Sequence, residues 1–276
     1  RMLKIHKLKW QQCLSHQIWP YIEKGWKDED RNIHFFWGLG GANVEEIREC
    51  ERLKEEWWYI DVGYFTEQIT RYPNPIIHDK DRTYFRIVRG GIHTGGGVAA
   101  PDGRRLRELK HKEIDVEFKG WYTGETKHIL VCPSSQTVTY HINGTSQEDW
   151  INQVVEQLKE KTNREIIIRN KPRPGNKWWD TDIKEQLIDC HAIVTNMSLS
   201  AIDGLLNKVP SFTHQRNVAS QVTSRDITKI EKPFKPGYKT VRDWMQFVAE
   251  HQFTLDEIGS GVAYETLKKQ YENKVL

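Results

Sequence analysis

The sequence predicts an α/β protein with two Rossmann-like domains that face a cleft. Short apolar runs typical of buried strands alternate with amphipathic segments of helical period, and the resulting β-α-β order is that of a parallel sheet. The polar turns that hold the candidate ligand-binding residues follow predicted strands. Because ligands of open α/β sheets bind outside the carboxyl ends of the strands, we expect these turns to line the cleft.

The first predicted domain covers residues 1–110. Its first thirty residues mix tryptophans with charges and indicate a helical or irregular lead-in. The predicted elements that follow are a strand over 33–37, a helix over 44–56, and strands over 58–62 and 84–88. A glycine turn that contains Gly40 and Gly41 joins the first strand to the helix, as in a β-turn-α unit.

The second predicted domain covers residues 127–276, after a linker over 111–126. Strand and helix patterns alternate through it, which is typical of a parallel sheet with right-handed crossovers. The predicted strands lie over 128–132, 165–169, 192–194 and 210–213, and the helices over 148–161, 182–188, 199–206, 241–251 and 255–271. Ser146 is a candidate N-cap, and the last helix could return to the first domain.

Composition bounds the class of protein. Hydrophobic residues are 37% and charged residues 29% of the 276, which indicates a globular chain with a polar surface. No run of about 18 apolar residues predicts a membrane span, and no charged-then-apolar leader opens the chain. We therefore expect a cytoplasmic protein without membrane contact. The four cysteines are scattered, without the close Cys/His spacing of a zinc site, and indicate reduced thiols.

Two locally basic segments stand out against a net charge of only +3. Residues 104–112 include Arg104, Arg105 and Arg107, and residues 164–177 hold further lysines and arginines. Such segments form either solvated surface or a contact with a polyanion, which requires clustered positive charge. The eleven tryptophans also allow two interpretations, core packing or the stacking of sugars and bases in a groove.

The turn after the strand over 192–194 suits a phosphate. It offers Asn196 and Ser198, and Ser200 lies near the start of the helix that follows. The free N–H groups and the dipole of a helix N-terminus both favour negative charge. The pattern therefore indicates an enzyme or a binding protein that takes a nucleotide.

Four segments carry a resemblance to a known family: HILVCPSS, REIIIRNKP, CHAIVTNMSLSAIDGLLNKVPSF and WMQFVAEHQFTLDEIGSGVAYETL. Over residues 128–270 they resemble phage-encoded proteins that look like glycosyltransferases of the GT-B fold. The resemblance implies a GT-B-like pair of domains and a nucleotide-sugar donor, with a UDP-sugar favoured and no metal required. The donor contacts that it implies come from Ser134, Ser135, Arg169, Lys171, Asn196, Ser198, Ser200 and His214.

The resemblance also implies that the first domain supplies the base for the acceptor hydroxyl. Asp61, at the end of a predicted strand, is the leading candidate and His93 is the second. A structural carboxylate and a loop histidine are the alternative interpretations. Gly40 and Gly41 could let the backbone approach the acceptor, although a tight turn explains them equally well.

The favoured acceptor is a hydroxymethylated pyrimidine in double-stranded DNA, because phage glycosyltransferases of this size often modify DNA. Arg104, Arg105 and Arg107 would then bind its phosphates, and the protein would work in the cytoplasm of an infected host. A glycan or small-molecule acceptor is one alternative. Another is a non-catalytic nucleotide- or nucleic-acid-binding protein with a GT-B-like fold. The sequence leaves the oligomeric state open.

Overall fold

A computed structural model of the chain describes residues 3–6, 15–27, 32–66, 77, 79–94 and 102–272. The chain divides into two compact units. The first comprises the described residues within 1–94, 100–114 and 247–276, and the described residues of the second are 115–246. Each unit contains one β-sheet.

The helices and strands are, in chain order, β1 (Lys4–His6), α1 (Ser15–Gly25), β2 (Ile33–Trp37), α2 (Asn43–Leu53), β3 (Glu56–Val62), β4 (Phe85–Arg89), α3 (Arg104–His111), β5 (His128–Cys132), α4 (Gln136–Asn143), α5 (Gln147–Lys159), β6 (Glu165–Ile168), α6 (Ile183–Gln186), β7 (Cys190–Thr195), α7 (Ser200–Leu206), β8 (Ser211–Thr213), α8 (Tyr238–Ala249), β9 (Gln252–Phe253), α9 (Leu255–Gly259) and α10 (Val262–Glu272). A short 3-10 helix, Ile227–Lys229, follows β8.

The sheet of the first unit is mixed. Its order is β1-β2-β3-β4-β9, and the first three strands are parallel. β4 runs antiparallel to both β3 and β9, so the prediction of a Rossmann-like first half is wrong for this edge of the sheet. A parallel return would require a crossover of about a dozen residues, usually helical, and the described residues between β3 and β4 form no helix.

An aromatic core fills the first unit. Trp19, Trp26, Phe35 and Trp58 all lie in it and are less than a tenth exposed. The Trp26 ring meets the rings of Phe35, Trp58 and Tyr264 edge-on, with centroids 4.8 to 5.3 Å apart. Edge-on pairs of this kind are favoured by the charge distribution of aromatic rings. These tryptophans therefore serve core packing, which was one of the two interpretations of their number.

Two glycines allow α1 to lie close against α9. A Cβ atom on Gly25 would lie 1.7 Å from the carbonyl oxygen of Ile258, and one on Gly259 would lie 2.9 Å from Cδ1 of Tyr21. The obstacle at Gly25 is backbone, which cannot rotate away as a side chain can. The contact of these two helices therefore depends on the absence of a side chain at Gly25.

Gly25→Ala should lower the free energy of unfolding by about 3 kcal/mol, because α1 must move away from α9 to admit the methyl group. Urea unfolding followed by tryptophan fluorescence measures the change. Gly237→Ala is the matched control, since a Cβ atom there meets nothing within 4 Å. Equal stability of the two variants would contradict the close contact.

The sheet of the second unit is parallel throughout, in the order β6-β5-β7-β8. Its central strands, β5 and β7, are apolar on both faces and are covered by helices, which explains their continuous hydrophobic runs. The four strands predicted for this half are confirmed to within a residue or two. Ser146 is confirmed as an N-cap, because its hydroxyl accepts a hydrogen bond from the N–H of Asp149.

The α/β fold class is therefore confirmed, with some differences in detail. Part of the basic segment forms α3. Helix α4 was not predicted. The helix expected over 182–188 is a single turn, capped by the Asp182 side chain, and residues 255–271 form two helices, α9 and α10.

None of the described helices has the length and apolar content needed to span a membrane. The thiols of Cys50, Cys132 and Cys190 are free and buried, and Cys13 lies outside the described residues.

Candidate functional site

The sheet of the second unit has a point where its strand order reverses. From β5 the chain passes to β6 on one side, and it then returns to β7 and β8 on the other side. The loops that follow β5 and β7 therefore diverge, and they leave a crevice at the carboxyl ends of these strands. The first residues of the two loops still contact each other, since the N–H of Met197 donates a hydrogen bond to Ser134 Oγ at 3.1 Å.

Asn196 lies in the loop after β7 and is fully buried. Its Nδ2 donates a hydrogen bond to Asn143 Oδ1, at the end of α4, over 2.6 Å. Among the residues that the structure describes, no donor reaches the buried Oδ1 of Asn196. A buried polar atom without a partner costs about 1–3 kcal/mol, so this oxygen is a place where a ligand hydroxyl or amine would be stabilised.

Asn143, the hydrogen-bond partner of Asn196, lines an open pocket of about 450 Å³. The residues that line it are Asn143, Trp150, Gln153, Gln157, His214, Gln215, Arg225, Asp226 and Ile227. Gln153 and Gln157 are one turn apart on α5, so their amides occupy the same side of the pocket. The lining combines amide groups with the rings of Trp150 and His214, and such a lining suits a small ligand that has hydrogen-bonding edges.

His214 follows β8 and enters the pocket beside Trp150. The two rings are 5.4 Å apart and meet edge-on at 70°. Burial lowers the pKa of His214, and the nearby charge of Arg225 lowers it further. The imidazole is therefore neutral at pH 7 and offers one hydrogen-bond donor and one acceptor. Arg225 is fixed next to it, because its Nη2 donates to the carbonyl oxygen of His214 at 3.2 Å.

The serines of the two loops hold the backbone. Ser135 caps α4 by accepting a hydrogen bond from the N–H of Val138, and Ser198 Oγ accepts one from the N–H of Ser200. The N–H of Ser198 in turn donates to Thr195 Oγ1. The N–H groups at the start of α7 thus largely have acceptors within the turn. A phosphate at this helix end would have to break those hydrogen bonds.

Arg169 is buried behind the end of β6. Its guanidinium donates hydrogen bonds to Gln186 Oε1 at 2.7 Å and to the carbonyl oxygen of Thr181 at 2.6 Å. It also lies 5.5 Å from the ring centre of Trp178. Lys171, two residues further along, is exposed. The structure thus separates the two predicted phosphate contacts into a buried group that holds residues 178–186 and a surface lysine.

Arg169→Ala should lower the free energy of unfolding by about 2 kcal/mol. Two hydrogen bonds from a charged group are lost, and the two acceptor oxygens are left without a donor. Thermal and urea unfolding of the whole chain measure the loss. Lys171→Ala is the control and should change stability by less than about 0.5 kcal/mol. If Arg169→Ala instead leaves stability unchanged and only weakens nucleotide binding, the phosphate role expected from the sequence is the correct one.

Asp61 and His93 both lie in the first unit. Asp61 accepts hydrogen bonds from Arg86 Nη2 at 3.0 Å and from the Tyr59 hydroxyl at 2.7 Å. Arg86 is buried, and its Nε donates to the carbonyl oxygen of Ile92, so one guanidinium connects Asp61 to the turn before His93. The His93 ring is stacked against the Tyr64 ring, with centroids 6.1 Å apart.

The arginines predicted to bind the acceptor mostly interact with other residues of the first unit. Arg105 is paired with Glu108 and Glu257, and Arg107 donates to the carbonyl oxygen of Asp102. Arg104 is exposed.

The glycine turn has its own internal support. Asn43 donates hydrogen bonds to the carbonyl oxygens of Trp37 and Gly38, ahead of Gly40 and Gly41. Gly41 has a φ of 60°, which favours glycine, so a tight turn is sufficient to explain it.

Four residues of the pocket lining were not predicted from the sequence: Asn143, Gln153, Gln157 and Arg225. One signal was present, since Trp150, Gln153 and Gln157 share a side of α5 next to its apolar face. That spacing is equally typical of a solvated helix face. Only the three-dimensional position of His214 and Asn143 distinguishes the two interpretations.

Comparison with known proteins adds a likeness of fold. No protein-family model and no curated protein sequence matches the chain. Two solved structures of KpsC from Thermosulfurimonas dismutans are similar to it. The beta Kdo 2,4 transferase has a TM-score of 0.50 and 12% identity, over 89% of this chain and 89% of that chain. The beta Kdo 2,7 transferase has a TM-score of 0.53 and 10% identity, over 96% of this chain and 99% of that chain.

At such low identity the likeness shows the fold alone. The chain therefore has a glycosyltransferase-like fold, and to that extent the resemblance seen in the sequence is confirmed.

Proposed function

We propose that the protein is a glycosyltransferase that uses a nucleotide-sugar donor and binds the nucleotide in the second unit. One observation carries the proposal. Where the strand order reverses, no donor among the described residues reaches the buried Oδ1 of Asn196, and its bonded neighbour Asn143 lines an open pocket with amide and aromatic groups. In an open α/β sheet this is the position at which a nucleotide binds. The glycosyltransferase-like fold supports the sugar-transfer chemistry.

The pocket suggests roles for several of the side chains in or next to its lining. Gln153, Gln157 and the neutral His214 would form hydrogen bonds to the edge of the base, and Trp150 would contact the ring face. Asn196 would accept a hydrogen bond from a ribose hydroxyl. Arg225 would place positive charge near the phosphates, where negative charge grows as the nucleotide leaves.

Transfer also requires a base for the acceptor hydroxyl. Of the two candidates, Asp61 already accepts hydrogen bonds from Arg86 and Tyr59, so its carboxylate is occupied within the first unit. We therefore propose a structural role for Asp61 and retain the assignment of His93 as the candidate base of the first unit. In the reaction, the acceptor oxygen forms a bond to the anomeric carbon, the bond from that carbon to the nucleotide phosphate breaks, and the hydroxyl proton passes to the base.

For the acceptor we favour a glycan hydroxyl over a base in DNA. The two similar structures are transferases of the sugar Kdo. The arginines expected to grip DNA are largely engaged, since Arg105 pairs with two carboxylates and Arg107 holds the carbonyl of Asp102. A phosphate contact would have to break these interactions, and that lowers the gain from binding a polyanion.

A thermal-shift screen of the purified chain tests the donor site. The panel contains cytidine, uridine, guanosine and adenosine mono- and diphosphates and their sugars, each with and without duplex DNA. We expect one nucleoside class to raise the melting temperature, and the matching nucleotide sugar is then used for transfer to glycan acceptors. A shift with DNA and none with any nucleotide would replace the proposal with a nucleic-acid-binding protein. Nucleotide binding without transfer to any acceptor would indicate a non-catalytic binder.

A further inference from the structure

Four potential metal-binding or supporting side chains meet at one end of the first unit's sheet. His34 lies near the start of β2, Glu55 immediately precedes β3, and Cys50 lies in the last turns of α2. His6, from the neighbouring strand β1, places Nε2 at 2.9 Å from His34 Nδ1. The group is thus built from three parallel strands and the helix between two of them, at the amino ends of β2 and β3.

The distances suit a single cation. One ligand atom each from His34, Cys50 and Glu55 lies within 4.8 Å of the other two, and His34 Nε2 is 2.7 Å from Glu55 Oε2. Ligand atoms of a tetrahedral zinc ion are roughly 3.3–3.8 Å apart, as follows from bond lengths of about 2.0–2.3 Å. Small side-chain rotations would therefore bring all three atoms to bonding distance.

We propose that the first unit binds one zinc ion through His34 Nε2, Cys50 Sγ and the Glu55 carboxylate. Imidazole, thiolate and carboxylate are the ligand types that zinc takes in proteins, and a water molecule would complete four-coordination. The scattered positions of the cysteines in the sequence gave no indication of this site, because its ligands come from separate elements.

His6 completes the site as a positioning residue. When His34 Nε2 binds a cation, its remaining proton lies on Nδ1 and needs an acceptor. His6 Nε2 is already at hydrogen-bond distance from that atom. Contacts of this kind fix the tautomer and orientation of a metal-binding histidine and strengthen it as a ligand.

The local charges are compatible with a divalent cation. The thiolate and the carboxylate would balance the two positive charges of zinc, and Glu46 adds a further negative charge nearby. Lys4 opposes binding, with Nζ 3.9 Å from Glu55 Oε1, but its side chain is about half exposed and can turn into solvent. His34 and Cys50 are buried while Glu55 is partly exposed, so the ion would enter past the carboxylate.

The position indicates a structural role for the ion. The glycine turn after β2 and the Asp61 region of β3 lie at or near the carboxyl ends of these strands, whereas the cluster lies at their amino ends. The ion would join β1, α2 and the β2–β3 pair, and it would leave the sugar-transfer step free of metal. Because the zinc site lies at the other end of the sheet, zinc binding can be tested independently of the glycosyltransferase function.

Metal titration of the whole chain, treated with a chelator and dialysed, tests the proposal. We expect one equivalent of Zn²⁺ to bind by calorimetry, with a rise in melting temperature, and Co²⁺ to give the near-ultraviolet band of a cobalt–thiolate bond. Cys50→Ser and Glu55→Gln should each lower Zn²⁺ affinity at least tenfold, and His6→Ala should lower it about tenfold. Cys132→Ser, which alters another buried thiol, should keep the wild-type affinity.

Three outcomes would overturn the proposal. They are no uptake of Zn²⁺ at micromolar concentration, a Co²⁺ complex without a thiolate band, and unchanged affinity in the Glu55→Gln variant. Since Cys50 is buried, Cys50→Ser could fail to fold. Glu55→Gln changes a partly exposed residue and keeps the test decisive in that case.

Discussion

Asn196→Ala should weaken nucleotide binding about 10- to 100-fold. In the absence of nucleotide, the same variant should be only slightly less stable than the wild-type protein. The difference arises because Oδ1 of Asn196 is buried without a donor among the described residues, so its hydrogen bond would form only with the ligand. Such a bond to a buried acceptor is worth about 1–3 kcal/mol, and each 1.4 kcal/mol corresponds to tenfold in affinity. Removal of the side chain also breaks the bond to Asn143, for a smaller loss of about 1 kcal/mol.

Calorimetric titration with the nucleotide found in the screen measures the affinity, and thermal unfolding without nucleotide measures the stability. Asn207→Ala is the matched control. That asparagine holds the end of α7 through a hydrogen bond to the carbonyl oxygen of Asp203. Its partner lies outside the pocket lining, whereas the partner of Asn196 is the lining residue Asn143. The control should lose stability and keep its affinity. If Asn196→Ala instead loses stability and keeps its affinity, while Asn207→Ala loses affinity, Asn196 does not belong to the donor site.

Asp61→Asn should lower the free energy of unfolding by about 3 kcal/mol. Arg86 is buried against Tyr59 and Tyr64, and Asp61 is its charged partner at 3.0 Å. Loss of one member of a buried ion pair leaves the other charge without compensation, which typically costs about 3–5 kcal/mol. The lower end applies here because about a third of the Asp61 side chain is exposed and water can partly compensate.

A surface ion pair offers a matched control. Lys239 pairs with Asp243 at 2.5 Å on α8, and their side chains are 81% and 38% exposed. Breaking this pair with Asp243→Asn should lower stability far less than Asp61→Asn, because both side chains reach solvent. Urea unfolding of both variants gives the comparison. If Asp61→Asn is as stable as the control but turnover at low temperature falls sharply, Asp61 is the base and the assignment to His93 is wrong.

The sequence predicted the second sheet well, because β5 and β7 are central parallel strands whose hydrophobic runs are continuous and whose helices have clear caps such as Ser146. The mixed edge of the first sheet was not predictable in this way. The run at β4 has the same composition as a parallel strand, and its direction depends on pairing with β9, which lies far along the chain.

For the candidate site, too, the sequence predicted the local features but not the contacts between distant segments. Strand ends can be read from the sequence, and Ser134 and Asn196 were predicted as site residues because they follow apolar runs. What the sequence could not show was how each polar group is used. Arg169 reads as a phosphate ligand, but Gln186 and Thr181 come from another element and hold its guanidinium inside the protein. Gln153 and Gln157 read as solvated helix residues, although they face a pocket.

The contact between α1 and α9 also bears on the order in which the protein is made and folded. The first unit takes residues from both sides of the second, and Gln252 binds the backbone of Tyr64 and Phe65 across a separation of nearly 190 residues. On the ribosome, the amino-terminal segment must therefore wait for β9 and α9, while residues 115–246 can already form their own sheet. Residues 115–246 would become protease-resistant first, and the amino-terminal segment only after β9 and α9 have been made.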